Sequence, residues 1–138
     1  MLYAKSGTAG TASLHKEIGR GGATPVKTIT LDKYFERKVG VPDFIKIDTE
    51  GHEIEVLRGM RKLIAEGHLR CVQFEFNGHH LLRGHTLPML LELLPGFSFY
   101  RLLPHGMLPI DPAKYLDNIF MYCNVVAIRN DGENRIHR

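Results

Sequence analysis

The stretch "DFIKIDTEGHE", residues 43–53, decides the fold because an apolar run leads directly into a dense group of charged residues. Residues 43–47, DFIKI, nearly lack the alternation of a half-exposed strand, which predicts a strand buried on both faces. Three acids and a histidine follow within six residues, at Asp48, Glu50, His52 and Glu53. Ligands of open α/β sheets bind beyond the carboxyl ends of the strands, so this stretch predicts the reactive edge of a parallel sheet.

A helix is predicted next, from Gly51 through about Glu66. Its apolar residues form one stripe, Val56, Leu57, Met60, Leu63 and Ile64. Glu53 and Glu55 favour the positive N-terminus of this helix, and Gly67 fits its end. The main role expected for Glu53 is therefore to start the helix.

Strand and helix patterns continue to alternate along the chain. Strands are predicted at 70–76, 97–103 and 119–128, and a helix runs from its cap Thr86 to Pro95. No helix pattern precedes the last strand, so we expect it to be antiparallel and to form a hairpin with its predecessor. The order predicts an α/β domain with a mainly parallel sheet and a C-terminal antiparallel strand.

Four shorter segments complete the prediction. Val26–Thr30 is predicted as a short strand, and Asp32 as the cap of a brief helix of sequence KYFERK. Residues 79–85 and the proline-containing segment 104–112 are predicted as connections between regular elements.

Length and composition favour one globular domain. The chain has 138 residues and 43% hydrophobic content, which is enough to bury a core. Residues 1–24, rich in Gly, Ser, Thr and Ala, are expected to be a flexible or hairpin-like segment. Residues 25–130 are expected to form the domain, and residues 131–138 a polar tail.

Charge and cysteine usage exclude several classes of function. The net charge is +3 and the basic residues are scattered, so no nucleic-acid partner is expected. No apolar run approaches the roughly 20 residues that span a bilayer, and no secretory signal pattern opens the chain. Cys71 and Cys123 lie in apolar runs and are predicted to be buried thiols. A cytoplasmic location is expected.

Five polar residues are predicted to converge on one edge of the sheet. Asp48, Glu50 and His52 follow one strand, while Glu75 and Asn77 end the next. Each also has a structural alternative: Asp48 can cap the following helix, Glu50 can be a solvated loop acid, and His52 can be a surface residue. The convergence of acids from separate elements is the stronger signal, and it favours a functional site.

Lys46 is unusual because it lies within an apolar strand, between Ile45 and Ile47. A buried ammonium is costly unless it is paired, so its stem extends to an edge or its charge meets a carboxylate. Glu75, between Phe74 and Phe76, raises the same question. A Lys46–Glu75 pair across adjacent strands is one solution.

The remaining histidines do not predict a metal site. His79, His80 and His85 have a spacing that neither a helix nor a strand makes convergent, so a solvent-facing loop is expected. His52-Glu53 begins like the HExxH zinc motif, but position 56 is a valine. No metal is predicted.

Three motifs in order resemble the FkbM-type methyltransferase family. They are Thr30-Leu-Asp-x-Tyr34, the run Ile45–Glu53 with its Ile-Lys-Ile-Asp-x-Glu-Gly-x-Glu pattern, and Val56-Leu-x-Gly59. A later strand ends in Glu75-Phe76. The resemblance covers residues 25–77 well and the rest by element order. It implies an S-adenosylmethionine-dependent methyltransferase on a Rossmann-like sheet, acting on hydroxyls of sugars or natural products.

The resemblance also implies roles for individual residues. Asp48 would orient cofactor and acceptor, with Lys46 nearby at the cofactor, and Glu50 would belong to the catalytic site. His52 is a candidate base because the unperturbed imidazole pKa lies near neutrality. Glu75 and Asn77 would contact the acceptor.

The family's glycine-rich cofactor turn has no counterpart in residues 1–24, so residues 25–130 are expected to be the C-terminal part of the domain. The chain would be a fragment, a degenerate remnant or an artificially shortened protein, and its uncovered sheet edge would favour a homo-oligomer. The alternative function is a non-catalytic interaction or assembly module derived from a methyltransferase. A metal-assisted hydrolase is a third, weaker hypothesis.

Overall fold

The structure is a computed structural model that describes residues 2–4, 14, 22–36, 38, 40–114, 117 and 122–130. The predicted tail 131–138, most of segment 1–24 and residues 119–121 of the last predicted strand lie outside the described residues. In chain order, the elements are β1 (Leu2–Ala4), β2 (Gly22–Thr24), α1 (Leu31–Phe35), β3 (Phe44–Ile47), α2 (Glu53–Arg58), α3 (Arg61–Ala65), β4 (Cys71–Phe76), α4 (Gly78–Leu82), α5 (Leu87–Leu91), β5 (Phe97–Leu103), β6 (Gly106–Ile110) and β7 (Cys123–Arg129).

The described strands form two sheets. β1 and β2 make an antiparallel pair, and the other five form a mixed sheet of order β3-β4-β7-β5-β6. Only β3 and β4 pair in parallel, whereas β7 is antiparallel to both β4 and β5, and β6 is antiparallel to β5. The α/β class is confirmed, but the mainly parallel sheet is wrong.

The last strand lies at the centre of the larger sheet. β7 is antiparallel, as predicted, but it separates β4 from β5, and β6 is the hairpin partner of β5. The sequence prediction missed β6 because Pro109 and Gly106 are typical of a loop. Pro109 lies opposite Tyr100 on an outer strand, where a missing amide hydrogen disrupts no ladder.

β3 is less buried than its sequence predicts. It is the terminal strand of the five-strand sheet, and Phe44 is 51% exposed whereas Ile47 is 3% exposed. One face therefore packs on the core while the other is open in the part of the chain that the structure describes. The prediction of a strand buried on both faces is wrong, because Phe44 and Lys46, which share one face of β3, are both exposed.

The predicted long helix is two helices. α2 ends at Arg58 and α3 begins at Arg61, with Gly59 between them. A Cβ at Gly59 would lie 3.3 Å from the Glu55 carbonyl oxygen and 3.4 Å from the Thr30 side chain, so glycine leaves room for both neighbours. The apolar stripe is nevertheless retained, since Leu57, Met60, Leu63 and Ile64 are all buried.

Asp32 caps a different helix from the one predicted. Thr30 is the N-cap of α1, and its side chain accepts a hydrogen bond from the Lys33 amide. The Asp32 carboxylate instead accepts the amide hydrogens of Lys62 and Leu63, each at 3.1 Å, at the start of α3. A side chain distant in sequence thus satisfies two helix-terminal donors.

Two further predictions on local structure are wrong. Residues 26–30 have no regular secondary structure, and helix α4, Gly78–Leu82, overlaps the predicted connection 79–85. Asn77 begins this helix, since its side chain accepts from the His79 amide. No helix in the described part of the chain is long and apolar enough to cross a bilayer.

Candidate active site

The loop from β3 to α2 carries three of the predicted site residues. It reverses direction through Glu50 and Gly51, whose φ angles are 52° and 99°. Glycine adopts this left-handed region freely, whereas Glu50 does so at a cost of roughly 1–2 kcal/mol. The surrounding contacts must therefore hold Glu50 in place.

Asp48 stands at the carboxyl end of β3 and pairs with Lys46. The Lys46 ammonium donates to Asp48 Oδ2 at 3.0 Å, and both side chains are about half exposed, at 53% and 47%. The bond from Asp48, then its charge, raises the pKa of Lys46, and Glu75 adds to the effect. Lys46 thus extends to the edge and pairs there, but its partner is Asp48 rather than the suggested Glu75.

Glu75 lies at the same edge, on the adjacent strand β4. The Asn77 side-chain amide donates to Glu75 Oε1 at 2.7 Å, and the Tyr122 hydroxyl lies 3.3 Å from Oε2. The charge of Glu75, then burial and this hydrogen bond, raises the pKa of Tyr122, and Asp48 contributes as well. Because Lys46 and Tyr122 each respond to both Asp48 and Glu75, the two carboxylates share one electrostatic environment.

Helix α4 supports the loop from its other side. His79 Nδ1 lies 3.0 Å from Glu50 Oε2, so Glu50 is not a solvated loop acid. Arg83, just after α4, donates to both carboxylate oxygens of Glu55 and to the carbonyl of Gly51. Burial raises the pKa of Glu55, but the bond from Arg83 and other contacts outweigh this and hold it below its usual value.

A fully buried pair lies beneath the loop. Glu53 and His80 have no exposed side-chain surface, and His80 Nε2 lies 2.9 Å from Glu53 Oε2. Glu53 Oε1 accepts from the amide and the hydroxyl of Thr49, at 2.9 and 3.0 Å. Burial raises the pKa of Glu53, but the bonds from His80 and Thr49 outweigh it, so the net pKa is lowered.

Sequence reasoning missed this pair and the role of α4. Glu53 was expected mainly to start α2, and the histidines 79, 80 and 85 were expected in a solvent-facing loop. His80 is instead completely buried, and His79 and His85 are partly buried. The available signal was Asn77, a strong helix N-cap residue, followed three positions later by a side chain able to complete a capping box.

A cavity of about 720 Å³ opens beside β3. Lys46, Asp48 and His52 line it together with apolar residues such as Ile45 and Val56, whereas Glu50, Glu75 and Asn77 do not. His52 occupies the N-cap position of α2 without a side-chain capping bond, and Asp48 does not cap that helix. The predicted residues therefore lie at one edge of the sheet but form two groups. Lys46, Asp48 and His52 line the cavity, whereas Glu50, Glu75 and Asn77 lie beside it.

A second cavity lies at the opposite end of the sheet. It has a volume of about 490 Å³ and includes Arg61, Glu92 and Arg129. Arg129 ends the antiparallel strand β7 and donates a hydrogen bond from its amide to the carbonyl of Arg70, just before β4 begins. This cavity is therefore remote from the carboxylates. Within the described residues, no group of three or more His, Cys, Asp or Glu is arranged to hold a metal.

Comparison with known proteins identifies the family. The methyltransferase FkbM domain matches residues 2–101, which extends beyond the resemblance seen at residues 25–77. The chain is 45% identical over 47 residues to the hexuronic acid methyltransferase AglP of Haloferax volcanii, a match that covers 33% of this chain and 19% of that protein. No solved structure matches. The chain belongs to the methyltransferase FkbM family.

Proposed function

We propose that this chain carries the acceptor-facing and catalytic edge of an S-adenosylmethionine-dependent O-methyltransferase. The observation that carries the proposal is the shared edge of Asp48 and Glu75, beside a cavity of about 720 Å³. Cavities of roughly 300–1,000 Å³ with mainly apolar walls and a few polar groups are typical of small-molecule sites.

The residues present fit a cationic methyl donor. Asp48 brings a half-exposed carboxylate to a cavity whose other walls include Ile45 and Val56. The cavity lining holds two carboxylates, Asp48 and Glu55, against one ammonium, Lys46, and this excess of negative charge favours a sulfonium cation over a neutral ligand. When bound, S-adenosylmethionine supplies an electrophilic methyl group.

The chain's own residues would orient the acceptor and manage its proton. Asp48 and Glu75 can accept hydrogen bonds from sugar hydroxyls, which fixes the acceptor in line for reaction. His52 lines the cavity and is the proposed base that receives the hydroxyl proton. Glu50, held by His79, supports the loop geometry and lies next in sequence to Thr49. Asn77 orients Glu75 toward the acceptor.

The acceptor class is proposed from chemistry and from the relative. The relative AglP is a hexuronic acid methyltransferase, and the carboxylates and Tyr122 at this edge suit a polyhydroxylated ring. We therefore propose a sugar or sugar acid as acceptor. A panel of neutral sugars and uronic acids distinguishes a hydroxyl acceptor from a carboxylate acceptor.

The first test is a titration with S-adenosylhomocysteine followed by amide NMR. Weak binding is expected, because the sequence contains no Gly-x-Gly-x-x-Gly turn. Shifts should concentrate at residues 46–52, and Asp48→Asn should abolish them. Asp43→Asn, at the opposite end of β3, is the matched control and should leave them intact.

The second test is methyl transfer from labelled S-adenosylmethionine to the sugar panel. Asp48→Asn should lower the rate by about 100-fold or more, since positioning and proton transfer both depend on this edge. Shifts centred on the Arg61–Arg129 cavity, or transfer unchanged in Asp48→Asn, would remove this edge from the mechanism.

The second candidate function is a non-catalytic assembly module. The terminal position of β3 and the 51% exposure of Phe44 favour it, because an open strand edge pairs readily with another chain. Sedimentation at high concentration should then show self-association that Phe44→Lys weakens. A monomer at all concentrations would exclude this function.

A further inference from the structure

We propose that the buried Glu53–His80 pair is a positioning device that fixes both halves of the carboxylate edge. The proposal rests on the proposed function, because it assigns these two residues a role through Asp48, Glu50 and Glu75. Neither Glu53 nor His80 is exposed, so neither touches a ligand. Their effect must therefore travel through the groups that they hold.

Glu53 fixes the first half of the edge. Its Oε1 accepts two hydrogen bonds from Thr49, one from the backbone amide and one from the hydroxyl. Thr49 lies between Asp48 and Glu50, so a residue held at two points sets the direction of both neighbouring acids. The left-handed φ of 52° at Glu50 needs such external support.

His80 fixes the second half. The backbone amide of Asn77 donates to His80 Nδ1 at 3.2 Å, which assigns the ring proton to Nε2, facing Glu53. The Asn77 side chain in turn donates to Glu75 at 2.7 Å. One histidine thus connects the end of β4 to the loop after β3.

The surroundings make this connection rigid. His80 packs on the Phe76 ring with centroids 4.9 Å apart, and Asn77 is 7% exposed. A buried pair of this kind contributes little net stability compared with apolar residues of the same volume. What it adds is direction, because Thr49 donates two hydrogen bonds to Glu53 and the Asn77 amide donates one to His80, and such bonds in a low-dielectric interior hold their partners in one geometry.

The pair can be tested by hydrogen exchange and by histidine nitrogen NMR. In the unmodified chain, the Thr49 amide should exchange slowly, and the ¹⁵N shifts of His80 should place the proton on Nε2. Glu53→Gln keeps an acceptor oxygen but removes the charge, and Glu53→Ala removes both. Exchange at Thr49 should accelerate in that order, by at least about tenfold in Glu53→Ala.

The link to function is tested in the same variants with S-adenosylhomocysteine. Glu53→Gln should weaken its binding by about tenfold, which corresponds to the loss of roughly one hydrogen bond to a displaced Asp48. Glu36→Gln is the matched control, because it breaks an exposed glutamate pair with Lys62 and should change neither exchange nor binding.

Each outcome decides the proposal. A proton on His80 Nδ1, or Thr49 exchange unaffected by Glu53→Gln, overturns it. If the variants do not fold, the His80 tautomer and the Thr49 protection of the unmodified chain still decide. If S-adenosylhomocysteine perturbs no amide, the proposed function is contradicted. The hydrogen-exchange and tautomer results would still show whether the Glu53–His80 pair positions the loop.

Discussion

Two acid–base pairs near the same edge of the sheet differ sharply in burial. Lys46–Asp48 spans 3.0 Å with side chains about half exposed, and Glu53–His80 spans 2.9 Å with none exposed. Water competes with the first pair and weakens it, whereas the second is held in a low-dielectric interior. The outer acid, Asp48, therefore remains accessible to a ligand, whereas the inner acid, Glu53, supports the loop.

The largest effect on stability is expected from the inner pair. His80→Ala leaves the Glu53 charge buried without its partner, which costs about 3–5 kcal/mol of unfolding free energy. Urea unfolding measures this loss. His68→Ala, which removes an exposed histidine, is the control and should change little. Equal stability of the two variants would mean that the inner pair is not distinct from the surface.

Asp32 provides an intermediate case, because it is partly buried and caps α3 through two amides. Asp32→Ala should lower the free energy of unfolding by about 0.5–2 kcal/mol. Asp32→Asn retains one acceptor oxygen and should lose less. Thermal unfolding of both variants beside Asp43→Ala measures the gradation, and a loss no greater than that of Asp43→Ala would contradict the capping role.

A smaller effect, confined to acidic pH, is expected from Glu53 itself. Its pKa lies below the ordinary 4.5 because the bonds from His80 and Thr49 outweigh the effect of burial. A lowered carboxyl pKa stabilises the fold above its unfolded value, and this contribution is lost as the pH falls through the folded pKa. The melting temperature should therefore decline below about pH 4.5, and less steeply in Glu53→Gln. Identical slopes in the two proteins would contradict this.

The smallest effect is expected from the outer pair. Lys46→Gln removes an exposed ion pair and should produce no measurable change in unfolding by urea. The same variant should still alter the amide shifts of Asp48 and its response to S-adenosylhomocysteine. A clear loss of stability would show that this pair supports the fold. The two pairs would then not differ in their contribution to the free energy of unfolding.

Strongly patterned segments could be predicted from sequence. The strands near 70–76 and 97–103 and the apolar stripe of α2 and α3 were found, because their side chains alternate or recur with the period of their element. α4 could not be found in this way. This helix has five residues, and its buried residue is His80, which a pattern of hydrophobic residues does not reveal.

The site could be predicted from the sequence only in part, for a related reason. The edge at Asp48 and Glu75 followed from the rule that ligands bind at the carboxyl ends of strands. Which acid of "DTEGHE" turns inward depends on the left-handed backbone at Glu50 and Gly51 and on helix α4 across from it. Both are tertiary facts, so Glu53 could not be separated from its neighbours by sequence.

The central position of β7 has a consequence for how the molecule assembles. The β3–β4 pair and the β5–β6 hairpin make no strand contact with each other, and among the described strands only β7 joins them. During synthesis, the β3–β4 pair and the β5–β6 hairpin therefore cannot join into one sheet until residues 123–129 have left the ribosome. Because β7 pairs with strands that are distant from it in the sequence, we expect the sheet to form slowly and to leave the edges of β4 and β5 unpaired until then.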